Sequence, residues 1–305
     1  MSLLSKINKY AGVYLFNNAN TLTYNIFNFI YNKNIINLKD ADDDINFFHE
    51  NGYLKPNINF QKEIKILKSH LDEKNLSKNN DFNYKFNLNS NARNVIRDIL
   101  TSEDFKKLKN KLENYFNLKM YLINTAVGRN LHLNVDKKNE HKVKYYSNNY
   151  HVDFYLINYF KIFINLHDVD ETSGPLELFS KANSKKFIKK NNFKDRNNYS
   201  LENENDLGMI KNIGKEGDIF VCSTPQCLHR ASSPNMGKYR DMLFLSFAVT
   251  SDVKEKVDDL FCFEKDFEKD VWEGESSLRK KLCKPKSFRA QIEIFKKFNK
   301  AKLKN

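Results

Sequence analysis

The feature that most constrains this chain is a series of short apolar runs through its middle, each bounded by turn residues. They cover 153–160, 161–168 (KIFINLHD), 176–180, 217–223 (GDIFVCS) and 241–250 (DMLFLSFAVT), and Met120-Tyr121-Leu122-Ile123 precedes them. Runs of this length, rich in Ile, Val and Phe, read as strands, and short strands separated by turns build a sandwich or barrel. The flanks have helical patterning instead. Asp42-Asp43-Asp44 is placed to cap a short helix through Phe47, Phe48 and His49, and Asn51-Gly52 stops it. An extended Tyr53-Leu54-Lys55 follows, then helical spacing over 61–72, near 93–100 and over 103–115. The polar stretches 73–91 and 133–150 read as loops, and 185–212 as a polar insertion between strands. This divides the chain into an N-terminal helical extension (1–41), a β-rich domain (42–252) and a charged helical segment (253–305).

Composition excludes several classes. With 40% hydrophobic residues the chain can bury a core, so wholesale disorder is excluded. Nine Gly and five Pro exclude collagen-like and linker-like architectures. No run reaches the roughly 18–20 apolar residues of a spanning helix. The N-terminus has no secretion-signal pattern. The four cysteines, Cys222, Cys227, Cys262 and Cys283, form no CxxC pair, and the expectation is a soluble protein of a reducing cytoplasm. The net charge of +13 is unevenly placed. Residues 279–305 hold eleven Lys and Arg against Glu293 alone, so the tail carries +10 and the remainder +3. Phe288, Ile292 and Phe295 share one helical face there. That pattern suits a surface helix packed on the body, with peripheral contact to an anionic surface as the alternative. No nucleic-acid partner is expected.

Two of the seven histidines have chemically suggestive company. In His151-Val152-Asp153, positions i and i+2 of a strand point to one face, so an imidazole and a carboxylate converge. His229 lies at the end of the strand that starts at Gly217. Two His and one carboxylate on facing strands form a facial triad, which holds iron(II) and leaves three positions open. Arg240, eleven residues after His229, heads the next strand. Its planar fork of donors suits the far carboxylate of a dicarboxylic cosubstrate. The spacing Cys222-x4-Cys227-x-His229 is wrong for a zinc knuckle. If its strand runs on, however, the Cys227 thiol faces the metal. His167 reads as structural, and His49, His70, His132 and His141 as solvated or capping.

These pieces together resemble the phytanoyl-CoA dioxygenase family of iron(II)/2-oxoglutarate-dependent oxygenases. The matching segments, in order, are Phe47–Tyr53, Tyr150-His151-Val152-Asp153, Leu166–Glu177 with its Gly174-Pro175-Leu176, Lys215–Phe220, and His229 with Arg240. The resemblance covers about 42 to 250. It implies an α+β chain with a mainly β core, a double-stranded β-helix (jelly roll, cupin-like) with flanking N- and C-terminal helices. It implies that His151, Asp153 and His229 hold Fe(II) and that Arg240 holds 2-oxoglutarate, the cosubstrate used with O2. Ser232 or Ser233 would stand in for a cosubstrate-holding Ser that some members place where Ala231 stands, and Asn130 joins them. Retention of Asp153 argues against halogenation.

Substrate-side candidates flank the HxD: Arg129, Lys142, Lys144, Tyr145, Tyr146 and Phe154. Their cations suit an anionic small molecule. The expected activity is hydroxylation of an aliphatic C–H of a small polar or anionic metabolite (a natural product, sugar or acyl-linked compound), with decarboxylation of 2-oxoglutarate to succinate. The alternatives are desaturation, cyclisation or epimerisation on the same scaffold, or a non-catalytic jelly-roll binding protein.

Overall fold

A computed structural model describes residues 36–39, 41–78, 82–133, 148–153, 159–191, 193, 208–250 and 271–272. Helix α1 (Asp43–Asn51) begins where Asp42 accepts the Ile45 N–H, and it ends at Gly52, whose φ of 78° is left-handed. A side chain at Gly52 would also meet the Cys227 sulfur at 2.6 Å. Strand β1 (Tyr53–Leu54) and helix α2 (Gln61–Ser69) follow. The stretch read as a loop over 73–91 instead holds β2 (Leu76–Lys78) and β3 (Asn83–Phe86). These polar strands form a sheet edge, where hydrophobic alternation is weak. Helices α3 (Ser90–Thr101) and α4 (Glu103–Phe116) meet at Ser102, which ends one and caps the other through the Phe105 N–H.

The β core alternates between two sheets. Strand β4 (Lys119–Leu131) enters the large sheet, and His151 then bridges to the small one. The chain returns as β5 (Tyr159–Asn165), crosses as β6 (Leu176–Leu178) and β7 (Ile210–Lys211), and returns again as β8 (Ile219–Cys222). It then crosses as β9 (His229–Ala231) and returns as β10 (Tyr239–Thr250). The sheets run β1-β8-β5-β10-β4-β3-β2 and β7-β6-β9, and the pairings among the described residues are antiparallel. Two facing antiparallel sheets visited in this order make a jelly roll, the expected fold.

Three details differ from the sequence reading. The run from Gly217 stops at Cys222, and His229 opens a new strand in the opposite sheet. The polar insertion overlaps an amphipathic helix, α5 (Lys181–Lys190), capped by Ser180 and buried through Ser184, Phe187 and Ile188. The Met120 strand extends to Leu131. Of the segment 253–305 only Val271 and Trp272 are described. They are helical and buried in the main core, with Arg93 and Arg97 over the indole at 5.6 and 5.3 Å. The extension over 1–35 and the tail 279–305 lie outside the described residues, as do the calls on their helices.

Strand alternation explains which face does what. Leu243, Leu245 and Phe247 of β10 and Phe160, Ile162 and Ile164 of β5 belong to the large core with α3 and α4. Phe105 meets Phe247 at 6.0 Å and Phe116 stacks on Phe160 at 5.8 Å. The opposite parity (Met242, with Phe163, Phe220 and Cys222) packs against Leu176 and Leu178 between the sheets. Among the described residues no helix is long and apolar enough to cross a membrane.

Candidate metal and cosubstrate site

The backbone pairing places the two imidazoles. His151 and His229 form an isolated antiparallel bridge, each N–H donating to the other's carbonyl at 3.0 and 2.9 Å. Side chains of such a directly opposed pair share a face, and the rings stand 4.4 Å apart between centroids. Asp153 lies outside any strand. Its N–H donates to the Thr224 carbonyl at 3.0 Å, which tethers the HxD segment to the turn between β8 and β9. One ligand atom from each of His151, Asp153 and His229 falls within 4.8 Å of the others.

The donor set suits a divalent transition metal. Nδ1 of His151 lies 2.8 Å from the Asn149 carbonyl, and Nδ1 of His229 lies 2.8 Å from the Cys227 carbonyl. A carbonyl accepts only, so each Nδ1 carries the proton and each Nε2 presents a lone pair. Asp153 is ionised. Burial alone would raise its pKa, but the Lys161 ammonium beside it holds it well below the usual carboxylate range. Lys161 reaches Asp153 Oδ2 at 2.6 Å. Two imidazole nitrogens and one carboxylate are the ligands of a facial iron(II) site.

Arg240 is buried with 2% exposure. It sits on the inner-face parity of β10, opposite Asn130 of β4, and its Nη1 donates to the Gly174 carbonyl. Its Nε has no hydrogen-bond partner among the described residues. Burial pushes its pKa down to about 10, against Glu177 and Asp241, which raise it. A buried guanidinium with an unmet donor is costly. A carboxylate at that position would satisfy it. Asn130 is buried beside it and accepts from Asn83 at 2.6 Å.

The other sequence candidates stand in varied surroundings. Arg129 is on the outer face of β4, forked onto Asp241 at 2.8 and 2.6 Å and paired with Glu73 at 2.8 Å. It also stacks on Tyr239 at 4.3 Å. It belongs to the scaffold, because residues 129 and 130 of one strand point to opposite faces. The Ser232 hydroxyl donates to the Pro175 carbonyl at 2.7 Å, and Ser233 accepts the Leu133 N–H at 2.9 Å, so both brace the β9–β10 loop. Cys227 does not face the triad: its sulfur lies 3.5 and 3.4 Å from the Asn51 and Gly52 carbonyls. His167 is structural, accepting the Asp241 N–H through Nε2 at 2.9 Å. Lys142, Lys144, Tyr145, Tyr146 and Phe154 lie outside the described residues. Lys161 was missed. Its signal was a lysine at the inner-face parity of a strand whose other members are Tyr, Phe, Ile and Asn.

No family model matches the chain, and no curated protein matches it. Solved structures similar to it include HygX from Streptomyces hygroscopicus with nickel and 2-oxoglutarate bound, at 12% identity and TM-score 0.48, covering 69% of this chain and 88% of that one. EctD from S. alaskensis with bound Fe has 14% identity and TM-score 0.49, covering 73% and 84%. The non-heme alpha ketoglutarate dependent epimerase SnoN from nogalamycin biosynthesis has 10% identity and TM-score 0.44, covering 67% and 80%.

Proposed function

We propose that this chain is an iron(II)/2-oxoglutarate-dependent dioxygenase of the phytanoyl-CoA dioxygenase type, hydroxylating an aliphatic C–H of a small polar or anionic metabolite. The observation that carries the reading is the convergence of His151, Asp153 and His229 within 4.8 Å, in the same interior as a buried arginine with an unmet donor. His151, Asp153 and His229 would hold the iron, and Arg240, with Asn130 beside it, the distal carboxylate of 2-oxoglutarate. The iron, when bound, supplies oxidative decarboxylation of the keto acid to succinate and CO2, coupled to oxidation of a substrate C–H.

The chain's own contributions are positional. The Asn149 and Cys227 carbonyls fix both histidines in the tautomer that presents Nε2. The cross-strand pair makes the two ligands one rigid unit. The apolar interior around Phe163, Leu176, Leu178 and Met242 excludes water from the reacting region. Arg240 orients a dicarboxylate end-on, and its sealed position favours a ligand that carries its own negative charge. Residues 42–252 form the catalytic unit in this reading.

The test is succinate formation with Fe(II), 2-oxoglutarate and O2. Asp153→Ala removes a ligand and no core apolar group, so turnover should vanish while the circular dichroism spectrum persists. Undiminished succinate formation in that variant would refute the assignment.

A further inference from the structure

One cation of β5 and one of β10 face the interior between the sheets, and they differ in access. Arg240 is sealed, at 2% exposure, whereas the Lys161 side chain retains 20%. On β10, Lys161 lies across from Ser246, six residues and about 20 Å of strand from Arg240 on the same face. Lys161 is 2.6 Å from Asp153 Oδ2, so its ammonium lies beside the group that completes the triad. An ammonium has three donors. Its contacts among the described residues are the ion pair with Asp153 and the Tyr159 ring, whose centroid is 5.9 Å away.

Charge balance gives this position a consequence. Among the described residues the charged side chains at inner-face parity are Asp153 against Lys161, Arg240 and, on the edge strand β3 across from Gly128, Lys85. The other nearby charges are turned outward and paired: Glu177 with Arg230 at 2.7 Å, and Asp241 with Arg129 at 2.6 Å. A divalent metal and the two carboxylates of 2-oxoglutarate cancel each other. Among the described residues the loaded interior thus keeps a positive excess, and the solvent-reachable cation beside the triad is Lys161. A low-dielectric interior does not hold a net charge cheaply.

We propose that Lys161 is the specificity-determining residue of the site, and that the substrate presents one acidic group (a carboxylate, sulfonate or phosphate ester) to its ammonium beside Asp153. The inference rests on the iron and 2-oxoglutarate reading above and names the substrate class within it. It also gives Lys161 a second effect: by holding Oδ2 it leaves Oδ1 of Asp153 for the metal.

The test is anaerobic. Protein loaded with Fe(II) and 2-oxoglutarate is titrated with a panel of carboxylic acids and their matched primary amides, and the visible absorption of the iron–keto acid chelate is followed. Acids should shift the band at concentrations at least tenfold below their amides. Lys161→Met should bring that acid-to-amide ratio close to one, and Lys161→Arg should restore it. The ratio is internal to each protein, so a change in metal affinity does not distort it. Amides that act as well as acids, a panel in which no acid shifts the band, or an unchanged preference in Lys161→Met would each overturn the proposal. If the wild-type protein forms no chelate band at all, the parent reading fails instead, and this one falls with it.

Discussion

At the scale of single residues, two backbone devices hold the triad. His151 and His229 are fixed by one doubly bonded pair, and Asp153 by a tether to Thr224. Charge then does what hydrogen bonding does not: the Lys161 ammonium keeps Asp153 ionised against its burial. Arg240 is the complementary case, a buried cation that stays short of acceptors. Arg240→Ala should raise the KM for 2-oxoglutarate at least tenfold, from loss of a charge-assisted pair of about 1.5–3 kcal/mol. Steady-state kinetics with the cosubstrate varied check this, and an unchanged KM would place the anchor elsewhere. The HxD, His229 and Arg240 were legible in the sequence because ligand types and chain order carry the signal. Lys161 was not, since its meaning depends on strand parity and on Asp153 folding back towards it. Arg129 and Asn130 show the same limit: one residue of register exchanges an outward ion pair for an inward amide.

At the scale of elements, the turn before β6 links the surface to the site. Asp170 accepts from Thr172 and Ser173 in a capping box, and the turn ends at Gly174, whose carbonyl receives Arg240. Hydrogen bonds from the Thr172 and Ser173 side chains hold the Asp170 pKa down to about 2. A depressed carboxylate stabilises the fold above its usual pKa of about 4, and the contribution is lost as pH falls through the lowered value. Asp170→Ala should therefore unfold at a lower temperature than the parent at neutral pH, and the gap should close as the pH approaches about 2. A gap independent of pH would contradict the role of the ionised form. Ser102, shared by α3 and α4, gives a second prediction: Ser102→Ala should cost about 1 kcal/mol in denaturant unfolding. The helices were legible from their caps and apolar spacing. Strands β2, β3 and β9 were not, because they are short or polar and owe their existence to partners far away in sequence.

At the scale of the whole molecule, one jelly roll carries apolar helices outside its large sheet and polar chemistry between its sheets. The alternation of apolar runs made that architecture legible, although the crossing order appears only when strands are paired. Charge is organised separately, with +10 of the net +13 in residues 279–305. Removing those residues should lower the salt concentration that elutes the protein from a cation-exchange column near neutral pH while leaving metal affinity within about twofold. Loss of metal binding in the truncated chain would show that the tail contributes to the site. The central claim concerns three side chains from two segments of the chain and one metal. Isothermal titration of the metal-free protein with Mn(II), a redox-stable stand-in for iron(II), tests it most directly. One equivalent should bind per chain, and binding should weaken by at least a hundredfold in His151→Ala and in His229→Ala. Undiminished affinity in either variant, or no binding by the parent, would contradict it.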